Sequence, residues 1–210
     1  MAKNLNSKCK QCRRIGEKLF LKGERCFTPK CAMIKRNYPP GMHGVKGSSR
    51  LSEYGMQLRE KQRAAKTYHI LEKQFSNYYK KAKQLKGETS DNFLRLLELR
   101  LDNVIYRLGL TKSRSIASQL ISHGHIFVNG KKLDISSYQT RVGDIITLKP
   151  LSKKKVFFEE LVKKINKKDL PKWLIYVDDK ELQAKVISQP AKEDLPGDIN
   201  APIIIEYYSR

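Results

Sequence analysis

The sequence predicts an α+β chain in which a cysteine-rich segment and a helical domain precede a small two-helix and β-hairpin domain, extended by further strands. Three observations predict it. All four cysteines lie within the first 31 residues. Apolar residues then recur at helical spacing through the middle of the chain. Beyond them, Ile126-Phe127-Val128 runs into Asn129-Gly130, a dipeptide that favours a tight hairpin turn.

The cysteines read Cys9-x2-Cys12, then thirteen residues, then Cys26-x4-Cys31. A two-residue gap lets two thiolates of one turn face a common ion, and a second pair closes a tetrahedron. Four sulfurs leave no open coordination position. The expectation is therefore a structural Zn2+ held by Cys9, Cys12, Cys26 and Cys31, with an iron–sulfur cluster the main competitor and unligated thiols third. Few large apolar residues accompany them, mainly Ile15, Leu19, Phe20, Leu21 and Phe27, so this segment is expected to need the ion to fold. Arg13, Arg14, Lys18, Lys22 and Arg25 fall between the cysteines and offer a basic surface to phosphates, or are simply solvated.

Charge is uneven along the chain. The 210 residues carry 43 Lys+Arg against 21 Asp+Glu, a formal net charge of +22. Residues 1–90 hold 22 basic and 6 acidic residues and residues 91–155 hold 12 and 5, whereas residues 156–210 are nearly neutral with 9 and 10. Positive charge in such excess opposes compaction and points to a polyanionic partner. The start MAKNLNSKC lacks an apolar signal region, and no apolar run of about 20 residues is present, so an intracellular protein is expected. That setting argues against structural disulfides.

Ser52-Glu53 opens a helix on which Arg59, Arg63 and Lys66 recur at i, i+4 and i+7. Such a stripe can follow a line of phosphates, the alternative being a solvated charged face. Upstream, the loop over residues 39–47 is rich in glycine and leads to Arg50; glycine lets backbone approach a partner closely. His43 in this loop has no second ligand and no carboxylate partner, so it is not read as catalytic. The next helix carries Tyr68, Leu71, Phe75, Tyr78, Ala82 and Leu85 as a core seam. Tyr79 falls off that seam beside Lys80 and Lys81 and is available to nucleic acid.

After Gly87, Ser90 or Asp91 caps a long helix with Phe93, Leu97, Leu101, Val104 and Leu108 on one side, and Gly109 stops it. Ser113 caps the following helix, whose apolar face is Ile116, Ala117, Leu120 and Ile121, and Gly124 ends that helix before the hairpin. Residues 142–148 continue the sheet. Lys153-Lys154-Lys155 reads as a solvated loop, with contact to RNA the alternative, and Phe158, Leu161, Val162 and Ile165 as one side of a short helix. Residues 173–177 and 182–187, joined through Asp178-Asp179, form another strand pair, with Trp173 in the core. The tail begins acidic (Glu193, Asp194, Asp198) and turns apolar (Ile203, Ile204, Ile205, Tyr207, Tyr208), so it must bury itself.

The stretch RLDNVIYRLGL-TKSRSIASQLI-SHGHIFVNGKK (residues 100–132) has no room for a substrate pocket. It resembles the small RNA-binding fold of the small-subunit ribosomal protein four family, which also occurs as a module in some tRNA synthetases and RNA-modifying enzymes. Residues 41–87 and 190–210 are similar to the same family, so the resemblance spans nearly the whole chain in order. It implies a four-cysteine metal-binding segment over 1–40 and a helical rRNA-binding domain over 41–90, with 190–210 packing back onto it. The RNA-binding module with its strand extension then covers 91–189. Carried over position by position, it implies RNA contacts by Lys112, Ser113, Arg114, Gln119, Ser122, His123, Asn129 and Lys131, beside Arg13, Arg14, Arg50, Arg59, Arg63 and Lys66 upstream. The family often has an acidic residue where Ile116 stands and a basic one where Ser118 stands, so no contact is assigned to these two. For Arg114 the competing reading is a salt bridge to Asp102 or Asp91.

The resemblance further implies a primary rRNA-binding constituent of the small ribosomal subunit. Such a protein clamps a multi-helix junction in the 5′ part of small-subunit rRNA, nucleates assembly and contributes to translational accuracy. Its implied partners are that rRNA, small-subunit ribosomal protein five and mRNA near where it enters. A cytoplasmic ribosome is expected, with an organellar one left open. The alternative from a different class is a stand-alone RNA-binding regulator acting on mRNA or stalled subunits. No Ser/His/Asp or Cys/His arrangement and no phosphate-cradling Gly-Lys motif stands out, so no enzyme, small-molecule substrate or membrane partner is expected.

Overall fold

The computed structural model describes residues 4, 6–47, 50–149, 170–178 and 182–210. The expected lysine loop at 153–155 and the helix around Phe158 to Ile165 lie outside the described residues, as does Asp179. The chain divides into two compact units, residues 1–94 with 196–210, and residues 95–195.

The first unit is helical. α1 (Lys8–Ile15) and the short α2 (Ala32–Lys35) flank a 3-10 turn at Gly23–Cys26. α3 (Glu53–Thr67) starts where Ser52 accepts a hydrogen bond from the Gly55 amide, as a serine N-cap should. α4 (Glu72–Gln84) follows after a tight turn. α8 (Ala201–Ser209), capped by Asn200, packs against α3 and α4. Tyr68, Phe75, Tyr78 and Ala82 are buried as a seam, while Leu71 and Leu85 at its ends stay exposed. Tyr79 is not a surface residue. It is buried, and its ring stacks on Tyr208 at 5.0 Å. The tail covers it: Tyr208 donates to Glu72 at 2.7 Å, Arg210 pairs with Glu53 at 3.1 Å, and the Asn200 amide donates to Glu60 at 2.9 Å.

The expected metal centre does not stand. Among the described residues, no group of three or more His, Cys, Asp or Glu side chains is arranged to hold a metal ion. Cys9, Cys12, Cys26 and Cys31 are free. Cys12 and Cys31 join Ile15, Leu19, Leu21 and Met33 in one apolar cluster, and the Cys26 sulfur accepts from the Lys22 amide at 3.4 Å. Burial pushes the Cys12 thiol up, toward the protonated form. A thiol packed in this way behaves as a small apolar side chain. The segment therefore has a core of its own, which cysteine spacing does not reveal.

The second unit is α+β. The long helix expected after Gly87 is in fact two, α5 (Thr89–Glu98) and α6 (Leu101–Arg107). The division between the two units falls within α5. The break after Glu98 has a tertiary cause. Arg100 is extended and bridges Gln139, the Leu99 carbonyl accepts from the Thr140 amide at 2.9 Å, and the Leu101 amide donates to the Tyr138 carbonyl at 2.9 Å. Gly109, at φ +73, ends this stretch. α7 (Arg114–Ser122) begins at its Ser113 cap.

Strands β1 (Ile126–Val128), β2 (Lys131–Lys132), β3 (Ile145–Leu148), β4 (Leu174–Asp178) and β5 (Gln183–Val186) form one antiparallel sheet in the order β2-β1-β3-β5-β4. Asn129 and Gly130 both take positive φ, the geometry a two-residue hairpin turn of the right twist requires. Leu101, Val104, Leu108, Ala117 and Ile121 from the helices meet Ile126, Val128, Ile146, Leu148 and Trp173 in one core. No helix of the described residues is long and apolar enough to cross a membrane.

Candidate nucleic-acid interface

In the first unit, cations gather where α1, the glycine-rich loop and α3 meet. Arg13 is half-buried and holds the loop. It donates to the Tyr38 carbonyl at 2.9 Å and the Pro39 carbonyl at 3.3 Å, with its guanidinium 4.8 Å from the Tyr38 ring centre. Arg14 is exposed. Arg59 donates to the Ile15 carbonyl. Arg13, Arg14 and Arg59 line a cleft of about 600 Å³ with His43 and the loop backbone. The loop can close on itself there because residue 44 has no side chain: a Cβ on Gly44 would sit 1.8 Å from the Pro39 carbonyl oxygen.

The α3 stripe is less open to a partner than its spacing suggests. Arg63 pairs with Glu17 at 2.8 Å and Glu60 at 3.4 Å, and Lys66 donates to Gln62 at 3.4 Å. Burial, then the nearby charge of Arg14, holds the Lys66 ammonium below its usual value. Arg50 is exposed and lines a second cleft, of about 670 Å³, with Arg59, Arg63 and the carboxylates Glu17, Glu53 and Glu60. Acidic groups thus offset part of the positive charge on this side.

In the second unit, a buried polar network stands behind the start of α7. Glu98, fully buried, takes a two-pronged grip from Arg107 at 2.9 and 2.8 Å. Asn103 donates to the Glu98 carboxylate at 2.8 Å, and its own carbonyl oxygen accepts from Arg114 Nε at 2.8 Å. The Arg114 guanidinium also lies 4.5 Å from the Tyr106 ring centre. Beside them Arg100 grips Asp102 at 3.0 and 2.5 Å. Burial pushes the Asp102 carboxyl up, against the opposing pull of Arg100. Arg114 Nε thus donates to Asn103, while its charge also acts on Asp102, one of the two carboxylates in the salt-bridge reading.

Around this base, Lys112, Gln119, His123 and Lys131 are exposed. Ser113 is buried as the cap of α7, and Ser122 donates to the Ser118 carbonyl at 2.8 Å. Asn129 pins the hairpin: its side chain donates to Asp144 at 2.8 Å and accepts from the Ile145 amide at 2.9 Å. Sequence reasoning missed Glu98, Asn103 and Arg107, because charged and amide residues on a helix ordinarily read as solvated. Their spacings of five and four give no signal of the shared network.

Comparison with known proteins decides the family. The family described as Ribosomal protein S4/S9 N-terminal domain matches residues 3–98, and the S4 domain family matches residues 99–146. The small ribosomal subunit protein uS4 of Clostridium beijerinckii is 50% identical over the full length of both chains. The chain belongs to the uS4 family. Similarity of the same extent reaches the uS4 proteins of Nitrosospira multiformis, at 49% identity, and Clostridioides difficile, at 48%. The α+β organisation, helical first and mixed second, is that of a uS4 chain.

Proposed function

We propose that this uS4-family chain, a structural and non-catalytic rRNA-binding protein of the small subunit of the cytoplasmic ribosome, clamps a multi-helix junction in the 5′ part of small-subunit rRNA. Each unit supplies its own RNA face. In the first, Arg13, Arg14, Arg50, Arg59, Arg63 and Lys66 carry it, and in the second Lys112, Arg114, Gln119, Ser122, His123, Asn129 and Lys131, with the buried Ser113 setting the start of α7 beneath them. Working boundaries near residues 41 and 91, with 190–210 returning to the first unit, suit this division of labour. The full-length relationship to uS4 proteins is the observation that carries the reading, and the charge distribution supports it.

The mechanism is physical. Each cation that meets a phosphate releases condensed counterions, which drives binding without reading sequence. Buried partners such as Asn103 and Glu98 hold guanidinium groups in place beforehand, which lowers the entropy lost on binding. Shape across a junction, more than base edges, then selects the site. Occupying the junction early would nucleate assembly. Contact with small-subunit ribosomal protein five and with mRNA where it enters would let the same protein influence accuracy.

Sedimentation of a cell extract through a sucrose gradient tests the placement. The protein should travel with small subunits and with early assembly particles. A protein found free at the top of the gradient would contradict the reading.

A further inference from the structure

Two phenylalanines in the first unit stack in the open. Phe20 and Phe27 have ring centres 4.9 Å apart with planes inclined by 28°. Phe27 is 75% exposed and Phe20 is 40% exposed, whereas Leu19 and Leu21 on either side of Phe20 are buried. Phe20 achieves this reversal by adopting φ +50, a left-handed conformation that a side chain with a Cβ takes only at a cost. The 3-10 turn Gly23–Cys26 then returns the chain so that Phe27 meets Phe20. Single exposed apolar residues need no explanation, but a stacked pair held out through a strained backbone does.

The surroundings indicate what covers it. Lys18, Lys22, Arg25 and Lys30 are all exposed and lie within three residues of one ring or the other. A protein surface closing on this pair would have to desolvate those cations, while a nucleic acid would neutralise them. Aromatic rings among cations are the arrangement that receives unpaired bases, stacking on the ring while cations take the flanking phosphates.

We propose that Phe27, backed by Phe20, is a stacking platform for one unpaired base of RNA. This rests on the RNA-binding reading above, adding a base-stacking contact to a surface otherwise described by phosphate contacts. It also gives the segment around the cysteines a role that needs no metal.

The test is ultraviolet cross-linking of the full-length protein to a transcript of the 5′ part of bacterial small-subunit rRNA, followed by mass spectrometry of tryptic peptides. The expected result is a nucleotide adduct on Phe27. Phe27→Leu should abolish that adduct and weaken binding roughly 5- to 150-fold, with the salt dependence unchanged because no charge is removed. Phe27→Tyr keeps the ring and should keep the affinity. If the wild-type protein binds this RNA with no adduct on Phe27, and Phe27→Leu binds equally well, the platform is overturned while RNA binding stands. If the wild-type protein does not bind the RNA at all, both fall together. The wild-type adduct is read without any variant, so misfolding of Phe27→Leu would not obscure the outcome.

Discussion

Asn103 joins Arg114 to the buried carboxylate of Glu98, accepting from Arg114 Nε at 2.8 Å while donating to Glu98 Oε2 at 2.8 Å. One amide thus serves both a buried acid and a cation at the start of α7. Asn103→Leu keeps the branched shape, adds some volume, and removes these two hydrogen bonds together with a third, from the amide to the Glu98 carbonyl at 2.9 Å. It should cost about 1–3 kcal/mol of stability, because Glu98 loses a donor where water cannot replace it. Asn103→Asp would set a second carboxylate against Glu98 and raise its own pKa. Its folded state would then hold a proton more tightly than its unfolded state, so stability should fall as pH rises. Urea unfolding at pH 5 and pH 8 checks both. An Asn103→Leu protein as stable as wild type would remove the network from the account of this module.

Glu72 ties the tail helix to the first unit. Burial alone would raise its carboxyl, but hydrogen bonds from Lys61 and Tyr208 outweigh that and leave it lowered. A lowered folded pKa gives stability that is present above the ordinary carboxylate value and lost as pH falls through the folded one. Unfolding followed by circular dichroism from pH 6 down to pH 3 should therefore show a loss that Glu72→Gln lacks. The side chain is more than half exposed, so the effect should stay below about 1 kcal/mol. An equal loss in the variant would assign the acid sensitivity to other carboxylates.

Gly44→Ala places a methyl group against the Pro39 carbonyl, where the backbone must give way. Overpacking of this kind costs roughly 1–3 kcal/mol. Because Arg13 holds the same carbonyl, RNA affinity should drop along with the denaturation midpoint. Unchanged midpoint and affinity would show that the loop is free to relax.

What could be read from sequence is what short segments decide alone. Asn129-Gly130 dictates its turn, and Ser113 caps α7 through its own side chain, so both are legible without a tertiary structure. The break between α5 and α6 is not, because hydrogen bonds from residues 138–140 impose it. Tyr79 reads as surface because its cover, Tyr208, comes from the far end of the chain. The cysteine spacing suggested a ligand set, whereas burial turned Cys12 and Cys31 into core. At the candidate interface, residue type identified cations and amides but not their internal partners: Arg63 faces Glu17, and Asn129 faces Asp144.

Arg114 separates an RNA-reading module from a merely structural one. Arg114→Ala should weaken binding to a junction RNA by roughly 1–3 kcal/mol. It should also make the salt dependence shallower by about one unit of slope. Arg114→Lys should recover part of the loss, keeping charge but not the planar fork. If Arg114→Ala instead unfolds the module with no separate effect on RNA, its role is to brace Asn103.

The most direct measurement is the affinity of the full-length protein for a transcript of the 5′ part of small-subunit rRNA, taken across a salt series. With a net charge of +22, and phosphate contacts in the lead, the logarithm of the affinity should fall linearly with the logarithm of salt. If about 6–10 phosphates are engaged, affinity should drop by roughly 10³-fold or more between about 50 and 200 mM. An affinity that stays level across that range would contradict binding through phosphate contacts.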